Sequence, residues 1–328
     1  MSSESTCPIV EIGKIGKHPN ADSLSITQIM GGYPCIFKTG DYQPGDKAVY
    51  IPVDMIVPEN DPKYEFLQGH RRIKAKKLRG IFSMGLLVPI PLELADRPVG
   101  SNVMEAMGIV KYEPPIELGI QGECERDPGF MPHYDLEPIR KYGAVLIDGE
   151  EVVATEKLHG TNARFCYHEG NLWVGSHNQI KKESDTNLYW AAAKKYNLSE
   201  RLRAAPDLVL FGEIFGFVQD LRYGHTSPGQ FDVRFFDVYN IERGVYEDYD
   251  NAVAILNKLG LTPVPVLYRG PWEGREAIEP LAEGQSTIPN ANCIREGLVV
   301  RPIKERFDIK VGRVVLKLHG QQFLLRRN

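Results

Sequence analysis

This sequence predicts an α+β protein in two parts, a small all-β barrel followed by a larger sheet-rich domain with flanking helices. Three observations lead there. The first third strings short apolar segments between turn clusters and has little helical periodicity. The last two thirds mix longer apolar runs with two helical stretches. A Pro- and acid-rich segment without periodicity lies between them. At 328 residues, with 42% hydrophobic and 25% charged residues, the chain has enough apolar material for one large core or two ordinary ones.

From Pro8 to Pro91 the expected strands are Ile9–Ile12, Ser25–Ile29, Ala48–Val53 and Gly85–Pro89. His18-Pro19-Asn20-Ala21-Asp22 and Pro44-Gly45-Asp46 supply turns between them. Short strands at this spacing suggest a small barrel. The run His70-Arg71-Arg72-Ile73-Lys74-Ala75-Lys76-Lys77-Leu78-Arg79 is the densest basic stretch of the chain. Its Arg71, Arg72, Lys74, Lys76 and Lys77 are candidate phosphate contacts, although a charge run is more usually a solvated face. The connector runs from about Gly108 to Asp135, which puts the boundary near residue 120: residues 1–120 for the barrel and connector, 121–328 for the larger domain.

Beyond it, Ser184–Ala204 and Asp250–Leu259 have helical spacing. Strands are expected at 151–154, 163–167, 208–211, 233–239, 297–301 and 313–318. Polar residues interrupt these runs at particular points. Lys157 stands between the first strand and the turn His159-Gly160-Thr161-Asn162, where an amine is accessible on one side. It becomes a nucleophile only if its pKa falls from the ordinary value of about 10.4; otherwise it is a solvated lysine at a hairpin tip. Glu213 lies between glycines and large apolar residues, Glu296 opens an apolar strand, and Lys317 interrupts another. Strand interiors ordinarily avoid such charge. Taken singly, each of these residues, and Phe236 with them, suits a structural role.

The net charge of −4 does not point to nucleic acid, but a net value says nothing of patches. Cys7, Cys35, Cys124, Cys166 and Cys293 are odd in number and form no C-x-x-C pair, which fits reduced cysteines rather than a disulfide frame or zinc site. No leader or membrane-length apolar run is visible, so a soluble, intracellular protein is expected, most simply cytoplasmic. A monomer is expected as well.

In order along the chain, Lys157, Glu213, Phe236, Glu296 and Lys317 resemble motifs I, III, IIIa, IV and V of the covalent nucleotidyltransferases, the superfamily of ATP-dependent ligases and mRNA capping enzymes. Glu156-Lys157-Leu158-His159-Gly160-Thr161-Asn162 is similar to the RNA-ligase-2-like branch. DNA ligases and capping enzymes carry Lys-x-Asp-Gly-x-Arg instead. His18 to Asp22 resembles a stretch of tRNA-binding OB-fold modules, and only Leu318 to Asn328 follow Lys317. This layout looks like the Deinococcus-type RNA ligases, an N-terminal OB module before a minimal adenylyltransferase domain.

The resemblance implies an ATP-grasp-like ligase domain of antiparallel sheets flanked by helices. It also implies an ATP-dependent RNA ligase working through lysyl-AMP on Lys157, then an RNA-adenylate, to join a 5′-phosphate to a 3′-OH. Glu213 and Glu296 would line the site of a divalent metal, Mg or Mn, directly or through water, and Lys317 would hold the α-phosphate. Glu156, Asn162, His177, Phe236, Val299 and Lys317 would bind the nucleotide. Phe236 and Val299 would sandwich the adenine, and Glu156 would take its amino group. A nicked duplex with an RNA 3′-OH strand is the expected substrate. Many relatives have a second lysine beside the one in motif V; here Val315 and His319 stand in the alternating positions, with Arg313 a candidate substitute. Two alternatives stand beside this expectation: a capping-type guanylyltransferase or DNA ligase, and a non-catalytic RNA-binding protein that keeps the fold.

Overall fold

The computed structural model describes residues 6–59, 61–112 and 123–326. The chain divides into two compact units, one of residues up to 114 with the segment from 321 onward, the other of residues 115–320. The boundary expected near 120 lies outside the described residues.

In the first unit, β1 (Ile9–Glu11), β5 (Lys47–Ile51) and β8 (Leu86–Val88) form one sheet, in the order β1-β5-β8. β2 (Ile15–Lys17), β3 (Leu24–Ile29) and β4 (Tyr33–Lys38) form a meander, and β6 (Lys76–Leu78) pairs with β7 (Ile81–Ser83). β5 is apolar on both sides. Val49 and Ile51 pack with Ile9 and Val88, while Ala48 and Tyr50 pack with Ile12, Phe37 and Leu87. The His18 turn is pinned rather than free. His18 Nε2 donates to the Leu78 carbonyl at 3.0 Å, its Nδ1 accepts from the Asn20 amide, and Asn20 Nδ2 donates to the Arg79 carbonyl at 2.9 Å. β4 was not among the expected strands, because Pro34 and the Gly31-Gly32 pair before it read as turn.

In the second unit, β9 (Cys124–Glu125), β12 (Thr161–His168), β13 (Asn171–Ser176), β14 (Ile180–Lys181), β15 (Leu208–Gly216), β16 (Phe231–Asn240) and β17 (Val245–Tyr246) form a seven-stranded sheet, in the order β9-β14-β13-β12-β15-β16-β17. β10 (Glu137–Pro138), β11 (Glu151–Lys157), β18 (Val266–Pro271), β19 (Gly297–Pro302) and β20 (Leu316–His319) form a five-stranded sheet, in the order β10-β20-β19-β11-β18. All these ladders are antiparallel except the short β10–β20 pair. Helices α1 (Leu188–Lys195), α2 (Leu198–Arg203) and α3 (Tyr249–Lys258) flank the larger sheet. Tyr189, Ala192, Leu198, Leu202, Ala252 and Leu256 pack on Phe165, Leu210, Ile214 and Phe235 of that sheet. The smaller sheet packs Val152, Ala154, Leu298, Val300, Leu316 and Leu318 against Ile139, Val145 and Trp272.

The single helix expected over Ser184–Ala204 is two. Asn187 caps the first, its Oδ1 accepting from the Tyr189 and Trp190 amides. Asn197 then turns left-handed at φ 49° and starts α2 afresh, a conformation asparagine tolerates better than most side chains. α3 falls where it was expected. Helix α4 (Gln321–Arg326) groups with the first unit. No helix among the described residues is long and apolar enough to cross a membrane.

Candidate active site

Side chains alternate along a strand, so the two core faces leave two other faces defined by register. On the larger sheet this second face carries Asn162, Arg164 and Glu213, with Asn162 directly opposite Glu213. On the smaller sheet it carries Thr155, Lys157, Val299 and Lys317, where Thr155 pairs with Val299 and Val299 with Lys317. The turn between β11 and β12 does not close a hairpin, since its strands lie in different sheets. It carries the chain from one sheet to the other, with Lys157 at the point of departure. Gly160 allows the passage, because a Cβ there would lie 2.0 Å from the Ile214 carbonyl oxygen. Gly297, opposite Lys157 in β19, is equally confined, with a Cβ 2.0 Å from the Leu318 carbonyl oxygen.

Lys157 is not a solvated tip. Its Nζ donates to Glu296 Oε2 at 2.8 Å, with side-chain exposures of 20% and 7% for the pair. His159 Nδ1 and His319 Nε2 come within 3.6 and 3.4 Å of the other oxygen of Glu296. Burial pushes the Glu296 carboxyl up, but Lys157, His159 and His319 overcome it and hold it well below the usual carboxylate range. Burial disfavours the His159 imidazolium, yet Asp220, 2.6 Å from Nε2, and Glu296 raise it to about 9. The Tyr223 hydroxyl accepts from the His159 amide at 2.7 Å. Glu213 differs from Glu296. Burial lifts its carboxyl to about 7 against the pull of Lys157, helped by repulsion from Glu296, while the Gly160 amide donates to its Oε1 at 3.0 Å. Two carboxylates beside one lysine are thus pushed apart in acidity, a pattern common at catalytic sites.

Around this centre, Glu156 is buried and its Oε2 accepts from the Thr287 amide and hydroxyl at 2.8 and 2.5 Å. Among the described residues its Oε1 is buried with no hydrogen-bond partner, as is Asn162 Oδ1. A buried acceptor left bare costs about 1–3 kcal/mol unless a ligand fills it. Lys317 lies close enough to His319, His177 and Glu137 to shift their acidities. His177 approaches Asp135 at 3.5 Å, and burial lowers its pKa. Phe236 stands edge-on to Tyr134, ring centroids 4.9 Å apart.

Arg313 is taken up elsewhere. It donates to Asp237 and Glu305 and lies 3.7 Å over the Tyr246 ring. It therefore does not stand in for a second motif V lysine, and His319 occupies that flank of the cluster. The basic run is divided too. Arg71 pairs with Glu59 and Arg72 with Asp54, while Arg72, Lys74 and Lys76 line a groove and Lys77 is exposed outside it. Sequence patterns did not single out Asp220, Tyr223 or Thr287, which sit in loops without periodicity. His319 did leave a signal, since it stands two residues from Lys317 and so on the same face of an apolar strand.

Among the described residues no three His, Cys, Asp or Glu side chains form a metal-binding cluster. Glu213 and Glu296 nevertheless suit a hard cation, which commonly takes one or two carboxylates and completes its shell with water and substrate phosphate.

A family model described as RNA ligase matches residues 150–319, and one described as an OB-fold domain matches residues 7–90. No curated protein sequence matches the chain. Among solved structures it is similar to Naegleria gruberi RNA ligase. A lysine-to-alanine mutant of that protein with ATP and Mn is 26% identical at a TM-score of 0.86, with 98% of this chain and 99% of that one covered. The same protein with PPi gives 26% and 0.86, covering 98% of each chain. A glutamate-to-alanine mutant with AMP and Mn gives 26% and 0.85, covering 99% of each.

Proposed function

The chain belongs to the RNA ligase family, and from that premise we propose that it is an ATP-dependent RNA ligase that works through a lysyl-AMP intermediate on Lys157. One observation carries the proposal: a partly exposed lysine, held by a buried carboxylate, where the chain passes between two sheets whose second faces carry Glu213, Val299 and Lys317. Lys157 Nζ attacks the α-phosphorus of ATP, the phosphoanhydride bond breaks, and pyrophosphate leaves. The AMP then passes to an RNA 5′-phosphate, releasing the lysine. A 3′-hydroxyl attacks that phosphate, forms the phosphodiester bond and expels AMP.

Within this scheme Glu296 aims Lys157, and His159, braced by Asp220, keeps Glu296 ionised. Lys317 faces the α-phosphate and meets charge as it builds there. Glu156 Oε1 accepts the adenine amino group, an interaction that guanine, with a carbonyl at that position, cannot make. Phe236 and Val299 border the base, Asn162 orients water or the strand end, and His177 stands toward the phosphates. A divalent cation, Mg or Mn, held by Glu213 and Glu296 directly or through water, supplies positive charge that disfavours the ammonium form of Lys157 and neutralises the phosphates. The substrate is RNA, in our proposal a nicked duplex with an RNA 3′-OH strand, and the enzyme acts as a monomer.

Incubation with radiolabelled ATP or GTP and a divalent metal tests this directly. ATP should label the native chain and leave Lys157→Ala unlabelled. Labelling by GTP alone would indicate a capping-type enzyme, and no labelling at all would leave an RNA-binding protein that keeps the fold.

A further inference from the structure

Glu156 is buried in β11, yet its partner Thr287 is an exposed residue 131 positions further along the chain. Thr287 reaches in from a loop rather than from the packed interior, and both of its donors, amide and hydroxyl, go to Oε2. Oε1 receives none among the described residues. A carboxylate that needed only to be satisfied on burial would share its donors between the two oxygens. Two donors on one oxygen instead fix the orientation of the side chain and leave the other oxygen as an acceptor of set direction. The loop around Thr287 is built to keep that geometry. Gln285 and Ile294 form a bridge at its neck, where the Ser286 amide donates to the Cys293 carbonyl at 3.0 Å. Arg295 donates through its amide to the Gly284 carbonyl and through Nη2 to the Gln285 carbonyl, each at 2.9 Å. The Ser286 hydroxyl accepts from the Ile288 amide at 3.2 Å, and Ile288 is buried. At Asn290 the backbone turns left-handed at φ 65°, and the carbonyl lies against Gly224, where a Cβ would come within 2.3 Å of it. Thr287 is thus fixed from both sides, as a group that aims another must be.

Adenine and guanine differ at the 6-position, an amino donor in one and a carbonyl acceptor in the other. An acceptor held rigidly opposite that position favours the first and repels the second, whereas one free to turn swings its lone pairs away from the carbonyl. We propose that Thr287 is a positioning residue for nucleotide choice: by holding Glu156 through Oε2 it keeps Oε1 turned to the purine 6-position, so that ATP is accepted and 6-carbonyl purine nucleotides are refused. This role rests on the chain acting as an ATP-dependent ligase. It deepens that reading by placing discrimination in the hold on Glu156 as well as in the glutamate itself. Because the hydroxyl comes from an exposed side chain, its removal leaves the apolar core of the second unit untouched.

The test measures covalent labelling of the full-length protein by ATP and by ITP, with Mg or Mn present. ITP carries the 6-carbonyl of guanine without its 2-amino group, so its refusal reports on the 6-position alone. Thr287→Val keeps the shape and the amide but removes the hydroxyl. It should raise the half-saturating ATP concentration and narrow the preference for ATP over ITP, each by about 10-fold, the worth of one hydrogen bond to a charged group. The effect should fall on the half-saturating concentration rather than on the maximal labelling rate, and Thr287→Ser should restore the parent's values. In a Glu156→Gln background the same Thr287→Val change should alter the preference little, because the two residues act through one contact. A Thr287→Val chain that needs more of both nucleotides in equal proportion, or that melts earlier with its preference intact, would mark the bond as structural and overturn the proposal. So would a parent that takes ITP as readily as ATP. If the parent is labelled by no nucleotide, the ligase reading itself fails; if it is labelled by ATP and refuses ITP while Thr287→Val does the same, only the role of Thr287 fails.

Discussion

Glu156 holds one carboxylate oxygen on Thr287 and keeps the other buried and bare, so its position is set before any nucleotide arrives. Such an acceptor is ready for a donor and hostile to another carbonyl. Glu156→Ala should therefore raise the ATP concentration needed for half-maximal Lys157 labelling about 10- to 100-fold, the loss of one charge-assisted hydrogen bond. It should also narrow the preference over GTP. An unchanged requirement for ATP, with GTP still refused, would remove Glu156 from base recognition. At this scale the sequence was informative about residues that break a pattern, and silent about those that support them. Lys157, Glu213, Glu296 and Lys317 are charges where apolar residues belong. Asp220, Tyr223 and Thr287 are polar residues in loops, where polarity distinguishes nothing.

Between elements, the Asp237 cluster joins the two sheets of the second unit. Asp237 of β16 accepts from Arg301 of β19 and from Arg313, each at 2.6 Å, and from the Tyr134 hydroxyl at 2.7 Å. Burial raises this carboxyl, but the two guanidiniums and the tyrosine draw it below the ordinary value. A carboxyl depressed on folding stabilises fully above its unfolded value of about 3.9, and that stabilisation fades as pH falls toward the folded one. Stability against urea should accordingly hold from neutral pH to about 4 and then drop. Asp237→Asn, which leaves two buried guanidiniums short of a charge, should cost about 3–5 kcal/mol at pH 7 and lose less of its remaining stability below pH 4. Parallel pH profiles for variant and parent would show that this carboxylate does not set the acid limit. Asp237 sits in an apolar run that reads as an ordinary strand, and nothing local tells that its partners lie in Tyr134, Arg301 and Arg313. Long-range pairings leave no periodic trace. The β11–β12 turn escaped for the same reason, since two strands joined by a short turn look alike whether they pair with each other or part into separate sheets.

The whole molecule has two units, each with its own apolar core. Both the barrel and the larger sheet-rich domain were legible, because alternation and turn spacing are local. The grouping of α4 with the first unit was not, because a short helix at the chain end carries no mark of what it packs on. A chain lacking residues before about 120 should keep more of its lysine labelling than of its strand sealing, since Lys157 and its partners all lie in the second unit. Circular dichroism would establish that the truncated chain is folded, and equal loss of both steps would then argue against a docking role for the barrel. The passage of the chain from one sheet to the other at Gly160 has a consequence for kinetics. Lys157, Val299 and Lys317 belong to the smaller sheet and Glu213 and Asn162 to the larger, so a partly folded molecule with one sheet formed and the other loose lacks part of the site and is chemically mute. Covalent labelling thereby counts only molecules whose two sheets have docked, and its recovery after dilution from denaturant times the last event of assembly.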